Sequence, residues 1–70
     1  MTFGEMLAWT NRFKEILRQE PSHWRDVRLA NLMTDLEQAY GIPSLRNESF
    51  ETANLFVMQL YRAVSEARSI

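Results

Sequence analysis

The chain has 70 residues, 46% of them hydrophobic and 24% charged, with a formal net charge of -1 and no cysteine. That composition excludes disorder and rules out disulfide stapling and thiolate metal sites. Eight Lys and Arg against nine Asp and Glu, scattered along the chain, leave no field with which to gather nucleic acid or anionic lipid.

Seventy residues read as one domain, 1–70, near the lower limit at which a chain folds unaided. A core of that size supplies about 3–5 kcal/mol, and chains this short often lean on disulfides, metals or self-association. With His23 the only histidine, an imidazole-rich metal site is excluded, and self-association is the stabiliser left open. No apolar stretch approaches the roughly 18 residues that span a bilayer. Glu5, Asn11, Arg12 and Lys14 interrupt any apolar region a secretory signal would need, so a cytoplasmic protein is expected.

The first helix is predicted over about 3–19. Thr2 can cap an early amide, and Glu5, three residues on, can reach back as a capping box. Phe3, Met6, Trp9, Phe13, Ile16 and Leu17 form one apolar stripe, with Arg12, Glu15 and Gln19 opposite. Pro21 stops the pattern, because the residue before a proline is pushed out of the helical region. Ser22 caps a second helix over about 23–40, with Asp26 early to suit the helix dipole. Its stripe is Leu29, Leu32, Met33, Leu36 and Tyr40. Trp24 and Val27 lie off that stripe while Arg25 lies on it, which predicts an irregular first turn or one that faces another neighbour. Gly41 supplies the left-handed stop, and Pro43 follows.

Ile42-Pro43-Ser44-Leu45-Arg46 reads as a tight connection with Ile42 and Leu45 tucked inward. Asn47 caps a third helix over about 48–68 whose seam is Phe50, Ala53, Val57, Leu60, Val64 and Ala67. No strand-like alternation occurs. Two short links between antiparallel neighbours predict an all-α fold, a small three-helix bundle.

Candidate chemistry is sparse. His23 with Asp26 could in principle act as a general base, yet no nucleophile or second titratable group accompanies it. Glu48 and Glu51 stand one turn apart, but at a helix start the dipole alone favours them; Asp35 and Glu37 point to different faces. A Glu-x-x-His motif within a predicted helix, a glycine-rich phosphate loop and a G-x-S-x-G elbow are all absent from the sequence. The expectation is a non-enzyme without cofactor or metal. The segment from Asp26 through Leu36-Glu37-Gln38-Ala39-Tyr40-Gly41-Ile42 to Pro43 resembles the second helix of acyl carrier proteins. Their function depends on a serine at that helix start which receives phosphopantetheine. Asp26 stands in its place here, and a carboxylate cannot form that phosphodiester, so the resemblance does not imply carrier function.

Arg25 and Arg28 at the start of the second helix raise a helix-turn-helix reading, in which such residues contact bases. The long preceding link and Asp26 weigh against it, and a nucleic-acid partner is not expected. The apolar residues off the seam carry more. Leu55 and Met58 sit roughly opposite Val57, Leu60 and Val64, and Phe56 flanks them, so the third helix is apolar around most of its girth. Such residues mark an interface when nothing covers them. Trp24 is a candidate for a second contact. The sequence therefore predicts a non-enzymatic helical interaction or regulatory domain. It is expected to self-associate, as a dimer, through Leu55, Met58 and Phe56, or to dock on a larger protein.

Overall fold

The first three helices each begin where a side chain satisfies an orphan amide. The computed structural model describes residues 1–68 and contains four helices: α1 (Phe3–Leu17), α2 (His23–Tyr40), α3 (Glu48–Ala53) and α4 (Leu55–Ala67). At α1, the Glu5 amide donates to Thr2 Oγ1 at 3.1 Å and the Thr2 amide donates to Glu5 Oε1 at 3.3 Å, a closed capping box. Ser22 Oγ accepts from the Arg25 amide at 3.1 Å, and Asn47 Oδ1 accepts from the Phe50 amide at 2.9 Å. The first turn of α2 is regular helix from His23 onward, not irregular.

Gly41 ends α2 at φ 63°, ψ 40°, and its amide returns to the Glu37 carbonyl. A Cβ built there would meet nothing within 4 Å, so any cost of a side chain is purely conformational. Gly41→Ala is expected to lower stability by about 1–2 kcal/mol through left-handed backbone strain alone. A thermal melt followed by circular dichroism measures it, and an unchanged midpoint would show that this stop is unstrained.

The all-α bundle of the sequence reading is present, with four helices rather than three. The third helix divides at Asn54 (φ -132°, ψ 50°). Its side-chain Nδ2 donates to the Phe50 carbonyl at 3.0 Å. In an unbroken helix that carbonyl would receive the Asn54 backbone amide. Asparagine offers the chain this local alternative, and the backbone turns here without glycine or proline. The Met58 amide then bonds the Asn54 carbonyl at 3.0 Å, and α4 starts afresh.

α1 and α2 run antiparallel: Trp9 meets Tyr40, Arg12 meets Asp35, and Gln19 meets Arg28. α2 packs most extensively on α4 and less on α1, while α1 and α3 each make a smaller contact with α4. The buried side chains are Ile16, Leu29, Leu32, Leu36, Val57, Leu60 and Val64, with Trp9, Phe13, Met33, Tyr40, Ile42 and Tyr61 half-buried around them. Phe3 does not join the stripe assigned to it and is 71% exposed; Leu17 is also exposed. Phe3 and Leu7 lie roughly 120–160° around α1 from Trp9, on the flank turned away from α2, where little packs. Of the connection, Ile42 tucks in but Leu45 does not, at 82% exposure. The radius of gyration, 12.1 Å, exceeds the roughly 11 Å of a compact chain this long.

Candidate interaction surfaces

Two hollowed surfaces flank α4, on either side of the break at Asn54. The first lies where the start of α1 meets the α3–α4 junction. Asn54 and its neighbours Ala53, Leu55, Phe56 and Val57, with Met1 and Met6, line a hollow of about 170 Å³ there, whose wall is more polar than apolar. Leu55 is 63% exposed, and Phe56 and Met1 are exposed as well. Phe3 and Leu7, one turn apart on α1, are exposed as well but line no part of that hollow. Leu55 and Phe56, expected at an interface, are thus both presented. Phe3, Leu7 and Met1 are additions that the sequence stripe had placed in the core or left aside.

The second surface runs between α4 and the chain from Ile42 to Glu51. In a continuous helix Glu51 and Arg62 would stand roughly 16 Å apart along the axis, at 1.5 Å per residue. Because α3 folds back at Asn54, Arg62 Nη2 reaches Glu51 Oε1 at 2.9 Å. Arg46 Nε approaches Glu51 Oε2 at 3.7 Å. The side chain of Glu51 is only 18% exposed, while both arginines remain largely open to solvent. On one side of this bridge, Ile42, Leu45, Phe50, Met58 and Tyr61 line a hollow of about 300 Å³. On the other, Leu55, Met58, Thr52 and Gln59 line one of about 350 Å³. Met58 is half-buried and forms a wall of both, so it is less available than Leu55. The Tyr61 hydroxyl is pushed up by burial and further by neighbouring Glu37. Glu51, whose place in a first turn was reason enough for its charge, is the hub of an ion-pair bridge. No local helical spacing announces it, because Arg46 lies 5 residues earlier, ahead of α3, and Arg62 lies 11 residues later, across the break.

Trp24 is 70% exposed and stands at the opposite end of the bundle from Leu55, since α2 begins where α1 ends. Its ring meets His23 edge-on with centroids 5.5 Å apart. His23 itself is exposed, and Asp26 is half-buried. Arg25 is half-buried, whereas Arg28 is exposed and donates to Gln19 Oε1 at 2.8 Å. Among the described residues no group of three or more His, Cys, Asp or Glu is placed to hold a metal ion, and no helix is long and apolar enough to cross a membrane. Comparisons with protein-family models, curated proteins and solved structures give no match.

Proposed function

We propose that this chain is a non-enzymatic helical interaction domain, working in the cytoplasm, that self-associates as a dimer through the first turns of α4. Leu55 and Phe56 form the centre of the contact, Met58 its edge, and Phe3 and Leu7 of α1 its extension. One observation carries the reading: Leu55, 63% exposed, stands beside the exposed side chains of Met1 and Phe56 around one hollow. Exposed apolar surface of this kind is characteristic of interaction sites, and methionines at its rim let it adapt to a partner. The small core supports the reading further, because a second copy would add the burial that this chain lacks. Trp24, at the far end, serves as a separate second contact, and a larger regulated protein is the kind of partner that would use it.

Sedimentation velocity over a concentration series tests this. The wild type is expected to move from monomer toward dimer as concentration rises, and Leu55→Glu to remain monomeric with unchanged helical content. Leu55 is exposed, so the charge disturbs the contact and not the fold. A wild type that stays monomeric at high micromolar concentration ends the proposal.

A further inference from the structure

We infer that the hollow between the Ile42–Asn47 connection and α4 binds a small apolar carboxylate, its acid group held by Arg46 and Arg62 and its hydrocarbon body lying on Ile42, Phe50, Met58 and Tyr61. The site includes neither Leu55 nor Phe56 and meets the proposed dimer contact only at Met58. Its volume, about 300 Å³, is at the small end of the range that holds low-molecular-weight ligands. The walls come from three separate elements: the connection, α3 and α4. Their apolar side chains converge on one space instead of filling it.

The charge at the rim decides the class of ligand. Two guanidinium groups converge on the single carboxylate of Glu51, which concentrates positive charge at this rim, while Glu37 faces the hollow's far wall at Tyr61. Glu48 lines only the neighbouring hollow. Arg62 engages Glu51 through one terminal nitrogen, and Arg46 approaches it through Nε alone, at 3.7 Å. A guanidinium carries five N–H donors, so several are still directed outward, and a planar carboxylate is the group they match best. An ammonium head would meet the same positive charge as repulsion. Leu45, 82% exposed at the rim, is the one large apolar side chain of the hollow left without cover, and a hydrocarbon tail would give it a neighbour.

The test is a titration of the full chain with sodium octanoate, followed by amide and methyl NMR shifts, beside octylammonium chloride and 1-octanol of the same length. Octanoate is expected to give saturable shifts centred on Ile42, Leu45, Met58 and Tyr61, binding about tenfold more tightly than octylammonium. The Arg46→Ala/Arg62→Ala protein should lose that preference. Glu51→Gln, which frees both guanidinium groups, should move affinity the other way and tighten octanoate severalfold. Opposite signs in the two variants separate ligand recognition from a general loosening of the fold. Equal affinity for all three head groups, or octanoate shifts scattered away from these residues, overturns the inference. A peptide ending in a leucine carboxylate that binds here tenfold better than octanoate would also overturn it, by assigning the site to the end of a partner chain.

Discussion

Leu32→Ala is expected to leave much of the protein unfolded at physiological temperature. Leu32 has no solvent exposure and packs in one cluster with Ile16, Leu29, Leu36, Leu60 and Val64. Truncating a leucine in such a site costs about 2–5 kcal/mol, the lost transfer energy plus the cavity it leaves. A domain of this size has about 3–5 kcal/mol in total. The two ranges overlap, so a single methyl cluster removed from α2 is comparable to the whole stability. α2 is also the helix on which both α1 and α4 pack, so a cavity here weakens both contacts together. Leu45→Ala removes the same atoms from a side chain that is 82% exposed and should change stability by no more than about 0.5 kcal/mol. Urea unfolding followed by far-ultraviolet circular dichroism compares the two. Equal midpoints for Leu32→Ala and Leu45→Ala would mean that the core described here is not what holds the helices together.

That contrast between two leucines also shows where sequence reading works. Caps are local chemistry: Thr2 with Glu5, Ser22, Asn47 and Gly41 act on amides or carbonyls within a few residues, and each is found in the role its type and position predicted. The α2 stripe was legible for a related reason. Leu29, Leu32 and Leu36 repeat at helical spacing on the helix that has neighbours on two sides, so all three are buried. On α1 the same periodicity overreached. It places Phe3 on an apolar flank, yet periodicity says nothing about how wide the neighbouring surface is, and α4 lies too far round to cover it.

The break at Asn54 shows a different limit. Asparagine is tolerated inside helices and is also able to take over its own backbone hydrogen bond, and only the competition with tertiary packing decides between them. Missing that break meant missing everything built on it. The Glu51–Arg62 pair and the hollows on either side of it depend on α3 turning against α4 at Asn54. Leu55 and Trp24 were legible as off-stripe residues, and both are exposed. Met58 was placed with Leu55 by helical spacing, but the folded-back α3 and the connection partly cover it.

Tyr40→Phe is expected to destabilise the domain by about 1–3 kcal/mol and to blunt its sensitivity to acid. Trp9 Nε1 donates to the Tyr40 oxygen at 2.8 Å, and the Tyr40 hydroxyl donates to Glu5 Oε2 at 2.6 Å. The two rings meet edge-on with centroids 6.0 Å apart, and Arg12, paired with Asp35 at 2.7 Å, lies 5.9 Å from the Trp9 ring centre. This chain of contacts fastens the start of α1 to the end of α2. Phenylalanine keeps the ring packing but breaks both hydrogen bonds, leaving the half-buried Trp9 N–H without its acceptor. The Tyr40 hydroxyl is pushed up by burial and then by Glu5, so it remains a donor throughout the neutral range. Glu5 moves the other way: the Tyr40 hydroxyl, and after it the Thr2 amide and hydroxyl, hold its carboxyl below the usual glutamate value. A carboxylate depressed in the folded state adds stability above its unfolded value, and that stability is lost as pH falls through the folded one. The wild type should therefore lose this contribution on acidification, while Tyr40→Phe has less of it to lose. The gap between their melting temperatures should be widest near neutrality and narrow as the pH drops below the ordinary glutamate range. A gap that stays constant with pH would show that Tyr40 acts through packing and the Trp9 bond alone, and no gap at all would show that the two helices are joined by something else.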